Sequence, residues 1–245
     1  MHAVSPSQVL VVNPNTSDTV TRALTQHLAQ GLSHAQVQGV TAAFGAPYIA
    51  DERSYCIAGH AVLDAWERAQ ATAPEQGFAA VLVGCFGDPG LEALREVCSV
   101  PVLGLAEASM RTMAAQGKQR VAVVTGGEKW KPMLERWCRA TGHDTARGTQ
   151  PACITQVLAL PANGAQMMQS PEEALAQLGA ACLQSLRESG AQAVLLGGAG
   201  LAGMGARLRT QLDIPVWDCV EAARWCLART LACHAPGATA GPSVK

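Results

Sequence analysis

Short runs of apolar, often β-branched residues recur along the chain, and between them apolar positions return every three or four residues. The short runs predict strands at Gln8–Asn13, Gln36–Ala42, Ala79–Gly84, Val100–Leu103, Arg120–Thr125, Cys153–Leu158, Ala191–Gly197 and Ile214–Trp217. The intervening stretches, such as Lys129–Thr141 and Glu172–Ser189, are rich in Ala, Leu, Glu, Arg and Gln and carry the 3.6-residue period of helices. Apolar strands alternating with helices make βαβ units, hence parallel sheet with helices on both faces. The fold class is therefore α/β. No low-complexity linker divides the chain, and the Pro/Gly/Ala-rich tail from Ala235 reads as a frayed end.

The pattern repeats. The stretch GFAAVLVGCFGDPGLEALREVCSVPVLGLAEAS from Gly77 and the stretch GAQAVLLGGAGLAGMGARLRTQLDIPVWDCVEAA from Gly190 lie 113 residues apart. Each reads as strand, Gly-rich turn, helix, Val/Ile-Pro-Val strand and a helix with Glu-Ala. QVLVVNPNTS from Gln8 and RVAVVTGGEK from Arg120 lie 112 residues apart. Two independent segments with nearly one shift describe two α/β halves of common design. The register sets Asn13 against Thr125, Pro14-Asn15 against Gly126-Gly127, and Cys85 against Gly198. All four turns follow a strand, and open parallel sheets bind ligands beyond the carboxyl ends of their strands. Two facing halves would bring the four turns to one cleft.

Composition narrows the chemistry. The 245 residues are 49% hydrophobic, enough for one large α/β domain or two small ones sharing a cleft. The formal net charge of -1 and the pI of about 6.6 leave no basic excess for a phosphate backbone, and aromatics at 4% offer few base-stacking platforms. Nucleic acid is not an expected partner. No apolar run is long enough for a bilayer, and MHAVSPSQVL lacks the basic and apolar segments of a signal peptide, so neither membrane nor secretion is expected. Nine scattered cysteines with no CxxC and no paired Cys/His spacing point to a reducing cytoplasmic setting, mostly inert thiols and no metal site.

One thiol stands apart. Cys85 follows an apolar strand and precedes a helical pattern in VLVGCFGDPGLEAL, where Asp88-Pro89 reads as a cap and first helical position. A helix start offers free amides and partial positive charge, which would stabilise a thiolate. The flanking Gly84 and Gly87 would let amides approach a ligand. Asn13-Pro14-Asn15-Thr16-Ser17 is a turn and helix cap in which Asn15 and Thr16 can also donate to a carbonyl or carboxylate. The Thr125-Gly126-Gly127 turn offers the same from the second half.

Other features read as structure. Gly198-x-Gly200-x-x-Gly203, with Asp218 20 residues beyond Gly198, imitates a dinucleotide fingerprint. The repeat makes it instead the twin of the Cys85 turn, an anion-friendly set of amides. Cys219, Cys226 and Cys233 fall every seven residues on the last helix, as a packed stripe would. Cys219 alone lies just beyond a strand. His60, Glu107 and the twin of Glu107, Glu221, fit solvated helix faces.

The series NPNTS at 13–17, GCFGDPGLEALRE at 84–96, PVLGLAEAS at 101–109, the Thr125 turn, LLGGAGLAGM at 195–204 and PVWDCVEAA at 215–223 resembles the aspartate/glutamate/hydantoin racemase superfamily, in its hydantoin/allantoin branch. The resemblance implies two pseudo-symmetric lobes with parallel-sheet, flavodoxin-like cores and an active site in the cleft between them. It implies residues 1–104 with 216–245 as the first lobe, 105–215 as the second, no cofactor, a small-molecule substrate bearing a carbonyl or carboxylate, and a homo-oligomer. It further implies cysteine-mediated proton transfer α to a carbonyl, from two cysteines on opposite substrate faces. The first matches Cys85. The second falls at Gly198, which has no side chain. An isomerase using Cys219, water or another group as second acid follows. The alternatives are a single-cysteine lyase like the arylmalonate decarboxylases, a cis-trans isomerase like the maleate isomerases, or a non-catalytic binder. Asn15, Thr16, Phe86, Gly87, Thr125, Gly126, Gly198 and Ala199 are the expected substrate contacts. A dicarboxylate would need a cation such as Arg53 or Lys129; a cyclic ureide would need a flat wall such as Phe44, Tyr48 or Phe86.

Overall fold

The computed structural model describes residues 6–146 and 149–234. The tail from Ala235, expected to fray, lies outside the described residues, as do the first five residues of the start that was read for a leader. All eight expected strands form: β1 Ser7–Asn13, β2 Ala35–Thr41, β3 Ala80–Val83, β4 Val102–Gly104, β5 Arg120–Gly126, β6 Cys153–Leu160, β7 Ala193–Gly197 and β8 Val216–Asp218. The helices between them are α1 Asp18–Ala29, α2 Glu52–Ala71, α3 Leu91–Val97, α4 Leu105–Ala115, α5 Trp130–Thr141, α6 Gly164–Gln169, α7 Pro171–Ser189, α8 Met204–Gln211 and α9 Cys219–Cys233.

The strands make two four-stranded sheets, ordered β2-β1-β3-β4 and β6-β5-β7-β8, with every pairing parallel. The halves thus share one topology, as the repeat requires. Each order reverses direction between its two central strands, β1 and β3 or β5 and β7. That reversal opens the crevice in which doubly wound sheets bind ligands.

Alternation along the central strands builds the core. Val9, Val11, Ala80 and Leu82 of one sheet and Val121, Val123, Ala193 and Leu195 of the other belong to one buried apolar cluster spanning both lobes. Leu10, Val12, Val81 and Val83 turn to α2 and α3 in a separate cluster, and Ala122, Val124, Val194 and Leu196 turn to α7 and α8 in a third. Successive side chains on a strand point to opposite faces, so an uninterrupted apolar strand feeds two layers.

Helices α4 and α9, twins in the repeat, pack on each other through small residues. Ser109 Oγ donates to the Cys219 carbonyl at 3.1 Å and Thr112 Oγ1 to the Ala222 carbonyl at 2.8 Å. The lobe boundary expected at 215/216 shifts. Val216, Trp217 and Asp218 pair with β7 and complete the edge of the second sheet. The chain returns to the first lobe with α9, where Arg224 Nη1 donates to the His27 carbonyl of α1 at 3.3 Å.

Candidate active site

A cavity of about 350 Å³ lies where the two crevices meet. It is walled from the ends of β1 (Asn15, Ser17, Thr19, Val20), β3 (Gly84, Cys85, Phe86), β5 (Thr125, Gly126, Trp130) and β7 (Gly197 to Leu201). The segments after β2 and β6 close it with Pro47, Tyr48, Ile49, Gly164, Ala165, Met168 and Gln169. Of the expected contacts, Asn15, Phe86, Thr125, Gly126, Gly198 and Ala199 line it, with Cys85. Thr16, Gly87 and Cys219 do not.

Cys85 is 8% exposed, and that exposure is to the cavity. The expectation of a thiol at a helix start is corrected. Two successive turns, Asp88 N–H to the Cys85 carbonyl and Leu91 N–H to the Asp88 carbonyl, delay α3 until Leu91, and its N-cap is Gly90 at φ 73°. Asp88 is not the cap of α3. At φ 57° it turns away and accepts from the amides of Ala106 (2.8 Å) and Glu107 (2.9 Å), capping α4. The thiol therefore gains no helix charge. Burial, then the Asp88 carboxylate, push its pKa up rather than down.

The NPNTS turn is the helix cap expected of it. Ser17 caps α1, its Oγ accepting from Val20 N–H. Asn15 Oδ1 accepts from Asn13 Nδ2 and from Ser17 N–H, each at 2.9 Å. These bonds fix the amide's orientation and leave Asn15 Nδ2 with no acceptor among the described residues. It is an unspent donor at the cavity wall. The amides of Phe86 and Ala199, also lining residues, donate to no acceptor among the described residues either. Thr16 is outside the lining, its N–H donating to the Ala46 carbonyl at 3.1 Å.

The second lobe's turns are arranged differently. Thr125 Oγ1 donates to the Gly197 carbonyl at 2.6 Å, so its proton holds two strands together. Gly198, at φ 143°, donates its amide to Cys219 Sγ at 3.4 Å. Cys219 is fully buried behind this turn. Burial first, with Asp218 and Cys85 adding to it, raises its pKa. Asp218, the acid of the apparent dinucleotide fingerprint, is spent on the amides of Glu221 (2.9 Å) and Gly203 (3.1 Å). Cys226 shares the buried stripe of Cys219, whereas Cys233 is exposed.

Aromatic groups seam the lobes together around the cavity. Phe86 presses on Gly197, where a Cβ would stand 2.7 Å from its ring. The Tyr48 hydroxyl accepts from Gly164 N–H at 3.1 Å, and Trp130 Nε1 donates to the Ile49 carbonyl at 3.0 Å. Trp130, Met168 and Leu201 are cavity residues that the sequence pattern did not single out; Trp130 comes directly after the 125–129 twin of NPNTS, which was its signal. Phe44 is elsewhere, packed on His60 with ring centroids 5.0 Å apart. No Asp, Glu, Lys, Arg or His lines the cavity among the described residues. Lys129 pairs with Asp51 at 3.5 Å, Arg53 stands outside the lining, and Glu107 pairs with Arg95.

Two lobes of one topology, with a buried thiol and unspent amide donors at their facing switch points, define a class: a two-lobed α/β protein with a cavity-lining cysteine between the lobes. Residues 9–227 match the family described as Asp/Glu/Hydantoin racemase, and the chain belongs to that family, among enzymes of the racemase type of isomerase. The chain is 29% identical over 220 residues to a hydantoin racemase of Paenarthrobacter aurescens, covering 88% of this chain and 87% of that one. An allantoin racemase from Klebsiella pneumoniae superposes with a TM-score of 0.80 at 26% identity, over 92% of this chain and 87% of that one. A mutant of arylmalonate decarboxylase shares the fold at 18% identity, with a TM-score of 0.67 over 97% of this chain and 96% of that one. Among the described residues, no helix is long and apolar enough to cross a membrane.

Proposed function

We propose that this protein inverts the stereocentre next to a carbonyl in an uncharged, flat ureide of the hydantoin or allantoin type, with Cys85 as the base. The observation that carries the proposal is the cavity itself: a thiol facing aromatic walls with no charged side chain in the lining. A dicarboxylate or amino-acid zwitterion would leave its charges unpaired there, which costs several kcal/mol per ion. A neutral ring would be matched by Tyr48, Phe86 and Trp130. The names of the similar racemases point to the same substrate class.

In the proposed reaction, Cys85 Sγ as thiolate takes the α-hydrogen as a proton. The C–H electron pair moves into the carbonyl, whose oxygen becomes an enolate. Asn15 Nδ2 and the amides of Phe86 and Ala199 supply the hydrogen bonds for that oxygen. Gly126 and Gly198 let the ring approach backbone, while Thr16 and Gly87 support the two first-lobe turns from behind. A proton then reaches the opposite face. Its source is assigned to Cys219, whose sulfur accepts from the Gly198 amide at the twin of the Cys85 position; because Cys219 lies behind the lining, its proton crosses to the substrate through a water admitted to the cavity.

Deuterium exchange at the α-carbon, followed by NMR, with chiral chromatography for inversion, tests this. The protein is expected to exchange and invert 5-substituted hydantoins or allantoin, and Cys85→Ala to do neither. Cys219→Ala is expected to retain exchange from one enantiomer while losing inversion. Exchange by Cys85→Ala at the parent rate would remove Cys85 as the base. Full inversion by Cys219→Ala would assign the second proton to water.

Gly198 favours a second reading, a one-thiol lyase that expels carbon dioxide from a disubstituted malonate and protonates the enediolate on one face. The uncharged lining counts against so anionic a substrate. Carbon dioxide release with one enantiomer formed would establish it over inversion.

A further inference from the structure

Asp88 is the one non-glycine residue with positive φ among the described residues. That conformation costs on the order of 1–2 kcal/mol for a residue with a Cβ, so the surroundings must impose it. They do so through α4, whose first amides converge on the carboxylate. The twin lobe shows what is unusual. There the capping acid, Asp218, belongs to α9 itself and reaches back to the amide of Gly203 in the turn. In the first lobe the matching N-cap is Gly104, and a Cβ on Gly104 would fall on the Asp88 carboxyl group. The carboxylate occupies one place in both lobes but hangs from opposite sides. In the second lobe it hangs from the helix. In the first it hangs from the turn that carries the reactive thiol, three residues from it.

We infer that Asp88 is a positioning residue for Cys85: one carboxylate fixes the shape of the 85–90 turn and holds a negative charge beside the sulfur that makes its thiolate a stronger base. The inference rests on the proton-transfer reading of Cys85. Charges around Asp88 come from several elements. Cys85 shares its turn, the Tyr55 hydroxyl of α2 donates to the Gly87 carbonyl at 2.5 Å, Glu107 opens α4, and Arg95 of α3 is bonded to Glu107 and Glu92. Behind Asp88 lies a second cavity of about 890 Å³, on whose wall Arg111, Arg136 and His143 also stand. Arg136 is engaged by Glu52 at 2.9 Å and Arg111 lies 3.7 Å from Glu107, so neither is paired to Asp88. Burial raises the carboxyl, the two amides lower it, Glu107 raises it and Arg95 lowers it, and together they leave it at about 7, ionised over the range in which the thiol titrates. A carboxylate so little neutralised opposes ionisation of the adjacent thiol. A proton acceptor with a higher pKa is also the stronger base towards a weakly acidic C–H.

The test reads the thiol and not turnover: alkylation of Cys85 by iodoacetamide as a function of pH, located by peptide mass mapping in the full chain. Asp88→Asn is expected to move the alkylation midpoint down by roughly one pH unit, the effect of removing a like charge held in the same turn. It is also expected to slow α-hydrogen exchange per ionised thiol. The paired change Asp88→Gly with Gly104→Asp hangs the carboxylate from the helix, as in the second lobe. It is expected to melt above Asp88→Gly alone and to return the midpoint towards the parent value. A parent midpoint in Asp88→Asn, or one shared midpoint in Asp88→Gly and the paired variant, overturns the inference. A midpoint shift in Asp88→Asn beside a parent protein that exchanges no α-hydrogen defeats the proton-transfer reading alone.

Discussion

Asn15 shows how a turn residue becomes a reagent. Its oxygen accepts two hydrogen bonds from its own turn, so its NH₂ group is left for the cavity. Asn15→Asp keeps the accepting oxygen and replaces the donor with a second acceptor. It is expected to fold, since the retained oxygen still accepts from Asn13 and Ser17, at some cost in stability for the buried charge, and to lose about 10²–10³-fold in kcat for α-hydrogen exchange, the usual effect of removing one oxyanion donor. Cys85 makes a second residue-level prediction. Burial and Asp88 both disfavour the thiolate, so its pKa lies above the ordinary thiol value. The free enzyme gains active base as pH rises, and kcat/KM is expected to be still climbing beyond about pH 8.5, where an unperturbed thiol levels off. A plateau reached near neutrality would place the thiol in a quite different environment.

Among the elements, the strands and long helices were legible because their signals are local and redundant. An apolar β-branched run such as Val9 to Val12 fits a strand buried on both faces and little else. The repeat carried further, since equal offsets foretold equal strand orders. The Asp-Pro-Gly sequence was not legible in the same way. It satisfies the rules for a helix start at Asp88, yet Gly90 takes a left-handed conformation and inserts another turn. Which amides Asp88 meets depends on α4, a non-local partner that no window around residue 88 contains. Helix α6 was missed because it is only six residues long, although Asn163 and Gln166 form a capping box around its start. That helix brings Met168 and Gln169 to the cavity. The turn glycines allow a paired prediction. A Cβ on Gly90, at φ 73°, would stand 2.6 Å from the Gly59 carbonyl of α2, which cannot yield without moving a helix. A Cβ on Gly203, at φ 82°, would meet the His27 ring, which can rotate. Gly90→Ala is expected to cost roughly 2–3 kcal/mol in urea unfolding, and Gly203→Ala less, nearer the backbone strain of about 1 kcal/mol.

Over the whole molecule, the site exists only because the lobes are clasped. Phe86 against Gly197, Tyr48 to Gly164 and Trp130 to Ile49 all cross the cleft at the cavity, and α4 and α9 join the lobes away from it. Tyr48→Phe removes the acceptor for Gly164 N–H while keeping the ring. It is expected to cost about 1 kcal/mol in unfolding free energy and to raise KM more than it lowers kcat, since the wall loosens but the reagents stay. Steady-state inversion kinetics beside urea titration would separate the two effects. At this scale the repeat revealed two halves of common design, and the resemblance implied the cleft between them. Neither revealed that their corresponding carboxylates hang from opposite sides, or that Cys219 sits sealed behind a glycine.

The unlike turns on the two sides of the cavity carry a consequence for the proposed reaction. Substrate and product of an inversion are mirror images, so their equilibrium ratio in water is unity whatever the catalyst looks like. A sulfur on one flank and a bare glycine on the other cannot make kcat/KM differ between the enantiomers. The lopsidedness must surface instead in how that shared ratio divides, one hand binding more tightly and reacting more slowly, the other the reverse.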